Sequence, residues 1–279
     1  MRIFSGLPSF VLAVFAAFAT AAPAISQVAG DAVEASEMAQ VDLLPGWRRA
    51  DGVHMAALRV RLAPGWKTYW RSPGQAGIPP GFDWSGSQNL ASATPRWPAP
   101  KAFENFGLRS LGYKNELLLP LELRPRDPGA PIRLDVTVVM GVCYDICLPL
   151  TVTLQQILPT DVTTPDTRIR QALARGPASA AAAGVRNVTC RATPIEDGLR
   201  LRAELDMPAL GGDEITVFEL PDREIWIAEA STTRQGGRLS AETELVPPGQ
   251  APFSLDRSTL RITVIGEKGA VDIKGCKGG

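Results

Sequence analysis

The chain has 279 residues, 45% of them apolar and 21% charged, a globular composition with enough apolar side chains for one large or two small domains. Its 29 Lys and Arg balance its 29 Asp and Glu, which excludes an electrostatic nucleic-acid binder, because such binding needs a basic face to neutralise phosphates. The single histidine, His54, excludes a multi-histidine metal site within one chain and leaves one candidate for a histidine base.

Residues 1–24 have the order of a secretory signal peptide. Arg2 is a positive start, Phe10 to Phe18 is an uninterrupted apolar run, and small residues follow. Cleavage is expected after Ala22 or Ala24. The other reading is an uncleaved anchor, for which the run is short against a span of about 20 residues. No later stretch is long and apolar enough to cross a bilayer, so the mature chain is expected to be exported, soluble and without a transmembrane segment. Residues 25–40 are small, polar and acidic and read as a flexible lead.

From about Val41 the pattern turns to strands. His54, Ala56, Leu58, Val60 and Leu62 alternate with a side carrying Arg59 and Arg61, the period of a half-buried strand. The stretch between Leu62 and Leu117 is rich in Pro, Gly and Trp and reads as irregular but packed. Its Trp66, Tyr69, Trp70, Trp84 and Trp97 read as packing aromatics rather than a ligand platform. Leu117 to Leu123 forms a second alternating stripe, and its Pro120 predicts an edge strand, since proline cannot donate to a ladder. Ile132 to Met140 and Leu148 to Leu154 are the third and fourth stripes. A helix is expected next, capped by Thr164, with Pro165 and Asp166 in its first turn, Ile169, Ala172 and Leu173 on one face, and Gly176 as its stop.

Beyond an Ala-rich stretch, further stripes run through Leu199–Leu205 and Leu239–Leu245. Shorter strands are expected at 215–220, 224–228, 260–265 and 271–273. Many short strands joined by turns predict an all-β chain of two β-sandwich domains, 41–158 and 186–279, joined by a short helical linker, 159–185.

The four cysteines divide into two pairs. Cys143 and Cys147 sit in GVCYDICLPL, at the connection between the third and fourth stripes. A chain reversal there brings two cysteines within disulfide reach, and a bridge closing so few residues gains little loop-closure stability. Three readings stand: a reducible exchanging pair, a small staple on a hairpin, and a two-thiolate site for a soft ion such as Cu(I). Cys190 and Cys276 lie at the two ends of the second domain and are expected to form a structural disulfide. Asp145, between the close cysteines, reads as a turn former, or as a group that disfavours a neighbouring thiolate or accepts its proton. Tyr144 reads as a packing or partner-contact residue, and His54, on an apolar stripe, as a packed histidine.

Three blocks in order, PGWKTYWRSPG, AFENFGLRSLGYKNELLLPL and GVCYDICLPL, resemble the amino-terminal periplasmic module of the DsbD and ScsB-type thiol:disulfide interchange family. The resemblance covers about residues 41–158, and the second domain fits the ScsB-type arrangement more loosely. It implies an immunoglobulin-like sandwich, a periplasmic location and protein-disulfide reductase-like activity without a cofactor or metal. It assigns Cys143 and Cys147 as the exchanging pair, with Cys147 forming the mixed disulfide. Phe106 becomes the ring that caps the pair, with Glu104 and Asn105 beside it, and Tyr69 an aromatic near the site. It also implies a separate membrane electron carrier or thioredoxin-like protein as donor, and exported disulfide-containing proteins as acceptors. The cysteine spacing is shorter than in DsbD itself. The rival function is a copper-binding or copper-stress module that uses the same thiols without exchange.

Overall fold

The structure, a computed structural model, describes residues 35–105, 107–222, 224–250 and 253–279. The expected signal peptide, most of the lead and Phe106 lie outside the described residues. The last residues of the expected lead are already structured: a single helical turn, α1 (Ala35–Met38), runs into β1 (Ala39–Arg48), and Met38 and Ala39 are buried.

The strands that follow are β2 (His54–Leu62), β3 (Lys67–Gly74), β4 (Gly81–Asp83), β5 (Leu90–Pro95), β6 (Lys101–Asn105), β7 (Leu108–Lys114), β8 (Glu116–Pro125), β9 (Ile132–Cys143) and β10 (Cys147–Leu158). They build two sheets, one ordered β1-β2-β8-β5 and the other β10-β9-β3-β7-β6 with β4 also on β9. Ala56, Leu58 and Val60 of the first sheet and Trp70, Leu111, Val136 and Val138 of the second point into one shared core. The stretch expected to be irregular therefore carries five strands, β3 to β7. Period-two reading misses them because they are short or shifted in register, as β3 is against β7 between Tyr69 and Gly74.

β8 is a central strand, not an edge: it pairs with β2 on one side and β5 on the other. Pro120 is tolerated because its carbonyl accepts from Arg96 N at 2.8 Å, just past Pro95, the last residue of β5. In an antiparallel strand the N–H and C=O of one residue point the same way, so the missing N–H faces the side where β5 has ended and no bond to β2 is lost.

The first sheet is apolar on both faces at its middle. Helix α2 (Thr167–Ala174) buries Ile169 and Ala172 against Leu44, Trp47, Met55, Ala57 and Leu118. Full burial of a side chain such as Ile169 is worth about 1.5–3 kcal/mol. The helix is capped by Asp166 rather than Thr164: its carboxylate accepts from Arg168 N at 2.8 Å and Ile169 N at 3.4 Å. The helix therefore starts at Thr167, and Thr164 and Pro165 lie before it.

The remaining strands are β11 (Ala178–Ser179), β12 (Asn187–Ile195), β13 (Gly198–Asp206), β14 (Ile215–Glu219), β15 (Trp226–Ile227), β16 (Ser231–Gln235), β17 (Arg238–Val246), β18 (Arg261–Gly266), β19 (Gly269–Lys274) and β20 (Lys277–Gly278). They form a second sandwich from sheets β11-β19-β18-β14 and β15-β17-β13-β12-β20, with β16 also on β17. Leu201, Leu205, Leu239, Ile262, Val264 and Val271 share its core. Within the stretch expected as linker, Ala178 and Ser179 pair with Val271 and Asp272. The two sandwiches meet where Ile265 and Ala270 are buried against the first core. Arg71 makes a two-pronged bond to Glu219 there, at 2.9 and 2.8 Å, with both side chains largely covered.

Candidate active site

β9 and β10 form a hairpin whose last pair is Cys143 and Cys147, with Tyr144, Asp145 and Ile146 as the turn. Tyr144 N donates to Ile146 O at 3.2 Å and closes that turn. The two sulfurs are bonded, with Cα atoms 4.1 Å apart. Their surroundings differ. β10 is an edge strand, so Cys147 has a neighbouring strand on one side alone and is exposed. Cys143 lies between β10 and β3 and is 1% exposed.

Tyr69, on β3, is 2% exposed, and its hydroxyl donates to Cys143 Sγ at 2.8 Å and lies 3.1 Å from Cys147 Sγ. Burial pushes its pKa up, so the phenol keeps its proton and remains a donor. Two glycines make room for the ring and for the backbone that carries it. A Cβ on Gly141 of β9 would lie 2.7 Å from Ile78 Cβ and 3.1 Å from the Tyr69 ring. A Cβ on Gly112 of β7 would lie 2.0 Å from Thr68 O and 2.9 Å from Tyr69 Cα. Any side chain at either position would displace the ring or its strand. Without an alternating stripe here, nothing in the local pattern marks these glycines as supports.

The turn is an exposed surface. Tyr144 is 50% and Ile146 68% exposed, and Asp145 is exposed between them. The Tyr144 ring lies over Gly65, whose φ of +84° is a glycine conformation and whose added Cβ would be 2.2 Å from the ring. Trp66 is 6.0 Å from the same ring, centroid to centroid.

The residues assigned to the cap are less closely gathered. Asn105 pairs with Leu108 at the end of β7 opposite Lys114, and Lys114 shares its row with Cys143 through Lys67. Glu104 is exposed and ion-paired with Arg109 at 4.0 Å, not drawn to the sulfurs. Phe106 lies outside the described residues. Lys67 and Lys114, which the sequence reading passed over, lie in the same cross-strand row as the cysteines.

Cys190 of β12 is bonded to Cys276, with Cα atoms 5.7 Å apart and a sequence separation of 86. Cys190 is fully buried in the second core. His54 is also fully buried, with Nε2 2.6 Å from Pro45 O, far from any base role at the sulfurs, and burial lowers its pKa. Trp70 and Trp97 are core residues, and Trp66 and Trp84 pack partly buried against that core.

Residues 39–159 match the family model described as thiol:disulfide interchange protein DsbD, N-terminal. The crystal structure of the N-terminal periplasmic domain of ScsB from Proteus mirabilis is similar in fold. It is 23% identical, covers 86% of this chain and 92% of its own, and has a TM-score of 0.63. The Neisseria meningitidis DsbD N-terminal domain in its reduced form is 16% identical, covering 49% of this chain and 93% of its own. Its TM-score of 0.30 is too low to support a common fold by itself. No curated protein matches the chain. With its bonded cysteine pair at the tip of a sandwich hairpin, the segment 39–159 belongs to the DsbD amino-terminal family of thiol:disulfide interchange proteins.

Proposed function

We propose that this chain is a periplasmic thiol–disulfide oxidoreductase module that relays reducing equivalents to exported proteins by dithiol–disulfide exchange at Cys143 and Cys147. The observation that carries the reading is the asymmetry of the pair: an exposed Cys147 backed by a buried Cys143, with one buried phenol held against both sulfurs.

Exchange needs a thiolate to reach one sulfur along the S–S axis while the other sulfur leaves. Cys147 is the accessible sulfur. A donor thiolate attacks it, a new intermolecular S–S bond forms, and the bond to Cys143 breaks with its electron pair on Cys143. The donor's second thiol then attacks the mixed disulfide and leaves the module as a dithiol. In the forward half, Cys147 attacks an exported protein's disulfide and Cys143 resolves the adduct. Tyr69 donates a hydrogen bond wherever thiolate charge develops, which favours the charged form. The exposed Tyr144 and Ile146 supply an apolar contact next to the attacked sulfur for a thioredoxin-like donor. The apolar run Phe10–Phe18 followed by small residues supports export to the compartment where such clients are found.

Trapping tests the reading. Cys143→Ser and Cys147→Ser are each mixed with a thioredoxin-like protein that keeps only its attacking cysteine, activated as the mixed disulfide with thionitrobenzoate, and resolved without reductant. Cys143→Ser is expected to accumulate a mixed disulfide through Cys147, and Cys147→Ser none. Adducts through Cys143 alone would reverse the roles, and adducts in neither variant would overturn the relay.

A further inference from the structure

One cross-strand row of the second sheet holds the whole redox pair and two cations. Cys147 on β10 stands opposite Cys143 on β9, Cys143 opposite Lys67 on β3, and Lys67 opposite Lys114 on β7. Residues directly opposite in an antiparallel pair project from the same face, with Cβ atoms about 4.5–5.5 Å apart. Lys67 is 8% exposed, so its stem is packed along this face rather than extended into solvent. Lys114 Nζ sits 5.0 Å from the centre of the Phe103 ring, which holds the second cation on the sheet. Among the described residues neither lysine forms a salt bridge.

We propose that Lys67, seconded by Lys114, is a positioning residue that stabilises Cys143 as the departing thiolate when a partner thiolate attacks Cys147. The inference rests on the exchange reading above and adds to it the source of the leaving-group stabilisation. The balance is simple. The incoming sulfur bonds to Cys147, the Cys147–Cys143 bond breaks, and its electron pair stays on Cys143, directly across the sheet from Lys67. No external oxidant or reductant is consumed beyond the attacking thiol. A lower leaving-group pKa speeds this step, and a nearby cation lowers a thiol pKa. The titratable and charged groups around the pair are Lys67 and Tyr69 from β3, Lys114 from β7 in the same row, and Tyr144 and Asp145 in the turn between the cysteines. Phe103 is the neighbour contributed by β6. Within this set the two lysines supply the positive charge, and Lys67 is one strand closer to Cys143 than Lys114.

The test uses the mature protein with Cys147→Ser, so that Cys143 titrates alone while Cys190–Cys276 stays oxidised. Ultraviolet thiolate absorbance is followed against pH. Lys67→Met is expected to raise the Cys143 titration by about one pH unit, a tenfold loss of thiolate at fixed pH. Lys67→Arg is expected to restore it, and Lys114→Met to give a smaller shift in the same direction. In the protein with both cysteines, reduction of the pair by 2-mercaptoethanol, a neutral thiol, is expected to slow severalfold in Lys67→Met. An unchanged titration in Lys67→Met, or an equal rise in Lys67→Arg, would overturn the proposal. Should Lys67→Met fail to fold, an unshifted titration in Lys114→Met would overturn it just as well. Titration reads the lysines whether or not a protein partner reacts, so loss of all partner exchange with the shifts intact would instead sink the relay.

Discussion

Tyr69→Phe removes one oxygen from the site and leaves the ring against Gly141. Its hydroxyl lies 2.8 Å from Cys143 Sγ and 3.1 Å from Cys147 Sγ. In the disulfide these are neutral, weak acceptors, whereas in the reduced pair one sulfur carries thiolate charge. A hydrogen bond to a charged group is worth about 1.5–3 kcal/mol, and a bond to a neutral sulfur less. The phenol therefore stabilises the reduced state more than the oxidised one. Taking the low end, its loss is expected to make the reduction potential about 30 mV more negative, because 30 mV is about 1.4 kcal/mol for a two-electron couple. Burial raises the Tyr69 pKa, so the phenol stays protonated across the neutral range and titration of the tyrosine itself contributes no pH dependence to the difference. Equilibration against glutathione buffers, with the two redox states counted by thiol alkylation and mass, measures it. An unchanged potential, or a less negative one, would refute the claim that Tyr69 stabilises the thiolate.

Gly141→Val places atoms where Ile78 and the Tyr69 ring already are; overpacking of this kind costs about 1–3 kcal/mol, to be read from urea unfolding. The same variant is expected to show altered alkylation kinetics of the reduced pair, because Tyr69 must shift. Replacing both Cys190 and Cys276 by Ala removes a bridge that spans 86 residues, and is expected to cost about 4–5 kcal/mol in the chain-entropy model while the potential of the other pair stays put. His54 has a folded pKa below its ordinary value, so the unfolded chain binds the proton more readily. Its contribution to stability is complete above about pH 6.5 and is lost as the pH falls from there through the folded pKa. His54→Gln should flatten that part of the stability–pH curve, as followed by urea midpoints.

The alternation of Leu58, Val60 and Leu62, of Val136 and Val138, and of Leu201 and Leu205 was enough to announce sandwiches, because a half-buried strand writes its two faces into consecutive residues. The close cysteines were legible for the same reason: a three-residue turn between two stripes is local. Everything at the site that depends on strand order was not. β8 became central because β5, carried on a stretch with no stripe, folded against its far side, and Pro120 happened to face the gap. Cys147 is exposed and Cys143 buried only because β10 is the edge and β9 is not. Lys67, Lys114 and the two cysteines share a row although they come from separate segments of the chain. Tyr69 reaches the sulfurs only because Gly112 and Gly141, on strands that flank it in space, carry no side chains. Facing and burial along one strand are properties of neighbours in sequence. Rows across strands are set by non-local register, which the packed sandwich decides.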